Sequence, residues 1–581
     1  MDKVVLVFVS WGAATALESG RLALTITSLA LFWAVWTTFV YPHRVSPLRR
    51  LPEPEGAHWL LGHAPRLVGP TAGGPFREWI TQMDHDGLIR YRFAFNRERL
   101  LVASPRALAE VLVTRSYDFR KPAAVRTTLS RVLGNGLLLA EGEEHRRQRR
   151  GLQAAFHFRH IKRLYPIFWD KAGSVVRAMT AACGEQGRAV LELNSWASRC
   201  TLDIMGVAGM GCEFGAVEDG DDSDLMPAYV SLSTPSSDAR LLLVLGSFLP
   251  GWLVRRIPLR RNGVVDLAAS RIRAVCRRVI REKRARLMSR EMKTMEGEEK
   301  QRDGDMLSVM LSGGLFSDEE LTDQFMTLLA AGHDTTASAL TWVAYQMARH
   351  PDIQSRLRDE VRSRLPPPPP SLSSSSSSSS SSKRDEGQEA EEKVVTSSQV
   401  DGMPYLQAVC SEVLRTYSPV PMTMREAVRD TVIQGQRVPR GTKVVVSPWA
   451  TNVDGRIWGA DAGEFKPERW LLHQRGRFLS RGNGHEDSSL RSYGNNDDDD
   501  DDDDSISNYG FLTFLHGPRS CIGANFARAE LACLVAAWVG SFAFELVDER
   551  LMDEKRLDFK MGVTARPAGG MPLRVRVVEG W

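Results

Sequence analysis

The distribution of hydrophobic and polar positions predicts a mainly helical chain. From about residue 142 to residue 365, apolar residues recur at helical spacing in long amphipathic stretches, with few strand signals. A smaller β contribution is predicted earlier, where Leu88–Phe95 and Leu100–Ala103 have the pattern of a hairpin, followed by a helix from about Pro105. The pattern therefore predicts a mainly α protein with a small β region.

A long apolar stretch near the start predicts a membrane anchor. Leu22–Val40 contains 19 residues without a charge, about 28 Å as a helix, which matches the hydrocarbon thickness of a bilayer. Arg44, Arg49 and Arg50 follow at once, and the positive-inside rule then places the rest of the chain in the cytosol. We predict an anchor region over residues 1–45 with a transmembrane helix at about 22–40. A cleaved signal peptide is the alternative, and Val4–Leu17 leaves a second, shorter span open.

Two low-complexity segments interrupt the pattern. Residues 366–398 contain runs of proline and serine followed by charged residues, and residues 473–508 contain eight consecutive aspartates. Such segments bury too little apolar surface to fold, so we predict disordered insertions. Because helical and strand patterns resume on both sides, we expect a single folded domain over residues 46–581.

Composition narrows the classes of partner and site. The formal net charge is +4, and it is +12 without the eight aspartates, which suits an acidic partner surface or an anionic membrane. We see no nucleic-acid recognition motif and predict no nucleic-acid partner. The seven cysteines are widely spaced and contain no CxxC, which argues against a disulfide framework and against a zinc site.

One cysteine has unusual neighbours. In FLHGPRSCIG, Cys521 comes just before an apolar helix pattern, and a helix N-terminus favours a thiolate over a thiol. Gly517 and Gly523 permit tight turns that bring backbone donors to the sulfur, and Arg519 can hold a carboxylate with two hydrogen bonds. Since a lone cysteine is more often an inert buried thiol, this loop alone leaves both interpretations open.

The loop resembles the haem-binding loop of the cytochrome P-450 monooxygenases. The matching positions are Phe514-x-x-Gly517-x-Arg519-x-Cys521-x-Gly523. The resemblance implies the P-450 fold, with haem b between a long central helix and the cysteine loop. It also implies that the Cys521 thiolate is the axial ligand of the iron, and that the other four residues bind the cofactor, with Arg519 at a propionate.

A long helix is predicted upstream of this loop. Ser317 and Glu320 form a capping box, and the apolar period continues from there to about His350, where Pro351 ends it. In its middle stands the sequence AGHDTT, residues 331–336. Glycine and threonine are poor residues for a helix interior, so the sequence indicates either a kink at a packing contact or a functional site.

The AGHDTT sequence resembles the acid–alcohol pair of the same family. The resemblance implies that Asp334 and Thr335 are catalytic residues that help to deliver protons during oxygen activation. It also implies that Gly332 is the point at which the cofactor or dioxygen approaches the helix backbone.

Two further segments lie where the family places them. Glu412-x-x-Arg415 and the Arg469 of FKPERW resemble the Glu–Arg–Arg network that braces the haem loop. They are therefore structural candidates.

Three residues are candidate partners of the haem propionates. Arg425 matches a position that pairs with a propionate in the family. In GEEHRRQRR, His145 stands where the family often has tryptophan, and Arg149 stands at the family's arginine. The other arginines of this run predict either a solvated helix face or a docking surface for an acidic redox partner.

The resemblance implies a microsomal, fungal-type monooxygenase. Such an enzyme inserts one oxygen atom of O2 into a hydrophobic small molecule, by hydroxylation or epoxidation. The expected substrate is a terpenoid or polyketide-type secondary metabolite, with a fatty acid or a sterol as alternatives. Electrons would come from NADPH through the NADPH–cytochrome P-450 reductase, with cytochrome b5 as a further candidate donor, at the endoplasmic reticulum membrane.

Two other functions remain open. One is a haem-thiolate isomerase or dehydratase that works without a reductase, although such enzymes often lose the acid–alcohol pair. The other is a membrane-tethered haem protein that senses a ligand without turnover.

Overall fold

The computed structural model describes most of the chain. The described residues are 19–67, 74–234, 236–246, 251–295, 304–368, 394–473, 508–561 and 563–581. The segment Val4–Leu17 and most of the two predicted insertions lie outside them. Two compact units are distinguished, Met1–Arg120 with Thr423–Ser447, and Lys121–Met422 with Pro448–Trp581. The single folded domain stays a prediction.

Helices dominate the described residues. In chain order, the α-helices are α1 Ser19–Val35, α2 Ala64–Leu67, α3 Gly74–Gln82, α4 Pro105–Ala109, α5 Ala123–Leu133, α6 Gly142–Gln153, α7 Phe158–Ile161, α8 Tyr165–Cys183, α9 Leu193–Ile204, α10 Met226–Ser233, α11 Ser237–Gly246, α12 Gly251–Arg256, α13 Arg260–Met295, α14 Met306–Ser312, α15 Asp318–Arg349, α16 Pro351–Arg364, α17 Ser397–Asp401, α18 Pro404–Thr416, α19 Pro448–Thr451, α20 Gly455–Trp458, α21 Glu468–His473 and α22 Ala524–Ser541.

The strands are short. They are β1 Leu88–Phe93, β2 Arg97–Val102, β3 Phe119–Arg120, β4 Arg188–Glu192, β5 Thr423–Ala427, β6 Thr431–Ile433, β7 Gln436–Val438, β8 Lys443–Val446, β9 Phe542–Leu546, β10 Phe559–Met561, β11 Ala565–Pro567 and β12 Pro572–Val577. The predicted fold class, mainly α with a small β region, is confirmed.

The first unit is built on a five-stranded sheet in the order β1-β2-β8-β5-β3. Strands β1 and β2 pair antiparallel with Leu88 opposite Val102, so the predicted hairpin is confirmed. A core of aromatic side chains packs against β1, with Trp79 and Tyr91 at 5.4 Å between ring centroids and both fully buried. The predicted helix at Pro105 is also present, as α4.

The N-terminal apolar helix belongs to this unit. Helix α1 continues as a π-helical segment over Trp36–Val45, and Leu24–Val45 forms a candidate span of 22 residues that contains an unburied apolar window with mean hydropathy 1.5. Length and composition are therefore compatible with membrane anchoring. The end of the helix is tied to the sheet, because Arg90 on β1 donates to the carbonyl oxygen of Pro42 at 2.8 Å.

The second unit is organised around helix α15. The predicted capping box is confirmed, since the Ser317 hydroxyl accepts from the Glu320 N–H at 3.3 Å and the Glu320 carboxylate accepts from the Ser317 N–H at 2.8 Å. Residues 336–348 of this helix are buried without interruption. A second sheet, β4-β12-β9, and the pair β10-β11 complete the unit.

Replacing Ser317 by alanine should loosen the first turn of α15. The hydroxyl satisfies a backbone N–H that has no partner within the helix, and loss of such a cap costs about 1 kcal/mol. Hydrogen exchange of the amides of residues 319–321 should therefore accelerate about fivefold.

Ser363→Ala is the matched control, because this hydroxyl donates to the Glu360 carbonyl within a helix and caps nothing. Equal exchange at residues 319–321 in both variants would contradict the assignment of the cap.

Candidate active site

A fully buried carboxylate stands beneath the predicted haem loop. Glu412 and Arg415 are both 0% exposed, and the Nε and Nη2 atoms of Arg415 each donate to one oxygen of Glu412 at 2.8 Å. Arg469 Nε donates to the same carboxylate at 2.9 Å, and the Trp470 indole N–H donates at 2.8 Å. The predicted Glu–Arg–Arg network is confirmed.

The network reaches the loop through Asn452. Arg415 Nη1 donates to the Asn452 carbonyl at 2.8 Å, and the Asn452 side-chain oxygen accepts from the Leu512 N–H at 2.7 Å. The Asn452 amide donates to the Thr513 hydroxyl at 2.9 Å. Leu512 and Thr513 directly precede Phe514, so the buried charges fix the start of the cysteine loop.

Within the loop, Gly517 and Gly523 have different backbone conformations. Gly517 has φ +76°, a conformation that favours glycine, and the Cys521 N–H returns to the Phe514 carbonyl at 2.8 Å. Gly523 has φ −86°, which any residue adopts, and a Cβ there would meet Phe156 at 3.6 Å and Cys521 Sγ at 4.0 Å. Gly517 therefore needs the conformation that glycine permits, whereas Gly523 does not, although its N–H is a predicted backbone donor to the Cys521 sulfur.

Cys521 differs from the other six cysteines in accessibility. Five of the seven are buried, Cys212 is partly buried, and Cys521 is exposed. It stands three residues before helix α22, as predicted. The inert buried thiol, the alternative interpretation of the sequence, does not fit this position.

The pKa of the Cys521 thiol is raised, contrary to the expectation of a helix-stabilised thiolate. Although part of the side chain is accessible, the sulfur has protein atoms on most sides, and this desolvation is the largest effect. The Gly523 N–H and the positive charges of Arg149 and Arg528 lower the pKa but do not cancel the increase. A coordinated metal ion would reverse the balance, because metal binding deprotonates a thiol.

Two arginines hold the residues next to the cysteine. Arg149 on α6 donates to the Ser520 carbonyl at 2.8 Å and to the Ser520 hydroxyl at 3.2 Å. Arg519 forms an ion pair with Glu141, and Glu141 also accepts from the Lys121 N–H at 2.8 Å. The structure therefore brings Arg149, Arg519 and Cys521 together, with Glu141 as an acidic neighbour that the sequence did not indicate.

For the other residues predicted to bind the cofactor, the structure gives a position in the fold. Phe514 lies under the guanidinium of Arg528, 5.0 Å from its ring centroid. His145 is buried on α6, one helical turn before Arg149. Arg425 belongs to the other compact unit, on β5, where it is buried and its Nη1 donates to the Thr423 hydroxyl at 2.7 Å. The propionate roles of His145 and Arg425 stay predictions.

The AGHDTT residues lie on different faces of α15. A Cβ on Gly332 would meet the Met205 sulfur at 2.5 Å, so this glycine permits close packing of α15 on Met205, and its contact with a cofactor stays a prediction. Asp334 and Thr335 form no hydrogen bond with each other within the described residues. The Thr335 hydroxyl donates to the Ala331 carbonyl at 2.7 Å.

The sequence analysis missed Glu530 on α22. Its side chain is 0% exposed, and neither carboxyl oxygen has a hydrogen-bond partner among the described residues. Burial raises its pKa to about 8, with the nearby Thr336 hydroxyl opposing the increase. The available signal was an acidic residue directly before the apolar run LACLVAAW.

Comparison with known proteins decides the family. The family described as cytochrome P-450 matches residues 52–571, a range that contains the cysteine loop, the AGHDTT segment and the Glu412 network. The chain belongs to the cytochrome P-450 family. Its mainly α fold agrees with that membership.

The sequence similarity to fungal relatives covers nearly the whole chain. Cytochrome P-450 monooxygenase ALT8 of Alternaria alternata is 42% identical over 584 residues, with 94% of this chain and 93% of the relative covered. FUM15 of Gibberella moniliformis is 41% identical, with 94% and 91% covered. The monooxygenase sphH of Aspergillus fumigatus is 38% identical, with 96% and 94% covered. The chain is accordingly a P-450 monooxygenase, an oxidoreductase that incorporates oxygen.

The residues present fit the haem-thiolate cofactor that the family implies. An exposed thiol, a backbone N–H directed at its sulfur and a nearby guanidinium supply one metal ligand and two groups that stabilise its negative charge. The buried His145, the partly buried Arg149 and the shielded Arg519 side chain are suitable donors to carboxylates.

Glu412→Gln should release the cysteine loop. The amide keeps the size of the side chain but leaves the buried Arg415 without its carboxylate partner and Arg469 with Asp461 alone, at a cost of about 3–5 kcal/mol. We expect a steep loss of bound haem per protein, measured by absorbance, and a lower free energy of unfolding, measured by denaturant titration.

Glu468→Gln is the control, because this glutamate pairs with Arg356 at the surface, where an ion pair contributes about 0–1 kcal/mol. Similar losses in both variants would contradict the role of the buried network.

Glu530→Gln should change the pH dependence of stability. The folded-state pKa of about 8 lies above the value of 4.5 for an unperturbed carboxyl, so the folded protein holds a proton that the unfolded chain releases. Stability therefore decreases from about pH 5 to pH 8, by at most about 1.4 kcal/mol per pH unit. Thermal melting at several pH values should show a smaller decrease in the variant.

The matched control is Glu545→Gln, at a half-exposed side chain on the neighbouring strand β9. If Glu530→Gln keeps the wild-type slope, the carboxyl titrates normally and the inferred proton is absent.

Proposed function

We propose that the protein is a haem b monooxygenase that hydroxylates or epoxidises a hydrophobic small molecule, with Cys521 as the axial ligand. The observation that carries the proposal is the exposed residue Cys521, three residues before α22, on a loop whose start is held by the buried Glu412 network. A cysteine in this setting is suited to ligation, because the loop backbone is held and the Gly523 N–H and the Arg149 charge stabilise a negative sulfur.

The protein side chains around the sulfur would tune the cofactor. Bound haem supplies the activation of O2, and a thiolate ligand favours cleavage of the O–O bond. The Gly523 N–H and the Arg149 charge both stabilise a negative sulfur and would limit how strongly it donates to a bound metal. Arg519, His145, Arg149 and Arg425 would hold the propionates, and Arg519 would share its charge with Glu141.

Protons would be handled on α15. The Thr335 hydroxyl can give its own proton and take another, because its oxygen both donates and accepts. Its present acceptor is the Ala331 carbonyl, and rotation about χ1 would turn the hydroxyl away from it. The Asp334 carboxyl group would resupply the proton after first taking one up from solvent, because an ionised carboxylate has no proton to give. One oxygen atom enters the substrate and the other leaves as water.

The proposed partners are a membrane and an electron donor. NADPH would supply electrons through the NADPH–cytochrome P-450 reductase, with cytochrome b5 as a further donor. The apolar helix with Arg44, Arg49 and Arg50 behind it favours the endoplasmic reticulum membrane with the catalytic part in the cytosol. On α6, Arg146 and Arg147 are half-exposed and each is paired with a glutamate of the same helix. The four arginines of α6 outnumber its two glutamates, and this excess of positive charge would suit an acidic donor surface.

The proposed substrate is a terpenoid or polyketide-type secondary metabolite. The likeness to fungal monooxygenases of similar length supports this class, while a fatty acid or a sterol has the same hydrophobic chemistry. Metabolite profiling of the host without the gene should reveal a less oxidised precursor that accumulates.

The ligand assignment is tested by the reduced, carbon monoxide-bound protein. We expect the red-shifted Soret band that thiolate ligation produces, and its complete loss in Cys521→Ala. Cys212→Ala is the matched control and should keep the band. A Cys521→Ala protein that retains it would show that another residue ligates the iron.

The reaction class is tested by omitting one component at a time. Product should form with O2, NADPH and a reductase, and should fall to background without either NADPH or the reductase. Turnover of a peroxide without a reductase would favour an isomerase or dehydratase. Intact haem without product from any oxidisable substrate would favour a sensor.

A further inference from the structure

The strand pair near the C-terminus is docked on helix α15. We call β10 and β11, with Val563 and Thr564 between them, the C-terminal hairpin. The Ala565 N–H donates to the Pro419 carbonyl at 2.8 Å, and the Ala565 carbonyl accepts from the Ser338 hydroxyl at 2.8 Å and from the Trp342 indole at 3.2 Å. These three hydrogen bonds fix the backbone of the hairpin.

The residues on both sides of Ala565 hold the Asp334 carboxylate. The Thr564 hydroxyl donates to Asp334 Oδ2 at 2.5 Å, and Arg566 Nη2 lies 3.0 Å from Asp334 Oδ1. The side chains of Arg566 and Asp334 are 15% and 22% exposed, so the pair is largely shielded from solvent. Both carboxylate oxygens are therefore held by partners on one fixed backbone segment.

The geometry of α15 explains why the hairpin contacts Asp334 and not Thr335. Asp334, Ser338 and Trp342 are separated by four residues each, and residues at this spacing share a helix face. Thr335 is rotated by about 100° from Asp334 around the helix. The acid therefore points to the hairpin, while the alcohol bonds to its own helix.

We propose that Thr564 and Arg566 are positioning residues that set the location of the Asp334 carboxylate for proton delivery. This inference rests on the proposed function of Asp334 as the acid that resupplies protons. A carboxylate held at two points has one defined orientation, and misplacement of a proton donor by about 1 Å is enough to slow a reaction severely. Arg566 acts through Asp334 and touches no reacting atom.

The backbone contacts of Ala565 separate this role from simple stabilisation of the hairpin. Ala565 is held by Pro419, Ser338 and Trp342, none of which involves the carboxylate. Loss of the Arg566 charge should therefore leave the hairpin docked while the carboxylate loses one of its two partners.

The experiment uses the full-length holoenzyme with a NADPH–cytochrome P-450 reductase and no added substrate. Electrons from NADPH then reduce O2 either to hydrogen peroxide or to water. Hydrogen peroxide formation consumes one NADPH per O2 and water formation consumes two, so the ratio of O2 to NADPH consumed distinguishes the two products. In Arg566→Gln and Thr564→Val we expect the share of hydrogen peroxide to change about twofold or more, with an altered solvent deuterium isotope effect on NADPH oxidation. Asp334→Asn should show the same changes at least as strongly.

Three further variants test whether Arg566 acts through the Asp334 carboxylate. The double variant Asp334→Asn with Arg566→Gln should behave as Asp334→Asn alone, because both changes act through one carboxylate. Arg566→Lys should restore part of the wild-type ratio. Arg574→Gln is the matched control on strand β12, where the arginine lies 3.5 Å from Glu545 at the surface, and it should match the wild type.

Hydrogen exchange supplies a readout that does not depend on turnover. In Arg566→Gln the Ala565 amide should stay protected to within about twofold of the wild type, because its bond to Pro419 remains. Loss of that protection would reduce Arg566 to a structural residue and overturn the inference.

The outcomes also separate this inference from the proposed function. Wild-type ratios and isotope effects in Arg566→Gln and Thr564→Val, beside an altered Asp334→Asn, overturn the positioning role alone. Additive effects in the double variant do the same. A wild-type protein that shows no thiolate-type carbon monoxide band and no reductase-dependent NADPH oxidation overturns the proposed function itself.

Discussion

The structure depends on one buried carboxylate, Glu412, whose single negative charge is shared by two arginines. Glu412 lies in a region without solvent contact, yet it accepts from two guanidinium groups, an indole and a backbone N–H. Desolvation of such charges is expensive unless every donor and acceptor is satisfied. The remaining donors of Arg415 meet this condition on the carbonyls of residues 452, 462 and 464. The cost of burial is thus offset only in one arrangement of these segments.

In this arrangement, the residues that fix the backbone differ from the residues with proposed chemical roles. The Glu412 network fixes the residues before Phe514, and Arg149 fixes Ser520, so the start of the loop and the residue directly before Cys521 are both held while Cys521 itself is exposed. On α15 the acid is tied to the hairpin and the alcohol is tied to its own helix. The residues with proposed chemical roles are therefore adjacent to residues that are held by several hydrogen bonds. Such preorganisation is what electrostatic and proton-transfer catalysis require.

Local spacing could be predicted from the sequence, and long-range partners could not. The capping box at Ser317, the hairpin at Leu88 and the ExxR pair all follow from residues a few positions apart. By contrast, the partners of Asp334 lie more than 200 residues away, at Thr564 and Arg566. The raised thiol pKa at Cys521 was missed for the same reason, because desolvation comes from tertiary packing that a motif does not describe.

The tie between the N-terminal helix and β1 has a practical consequence for truncation. Arg90 is 4% exposed and divides its donors among Glu98, Glu53 and the carbonyl of Pro42. The Tyr41 carbonyl likewise accepts from the Ser46 N–H at 2.9 Å. A deletion that ends after Val45 removes both carbonyls and leaves one N–H group of the buried Arg90 guanidinium without its acceptor. A soluble form of the enzyme is therefore better cut ahead of Tyr41, so that the last turn of the helix stays with the sheet it caps.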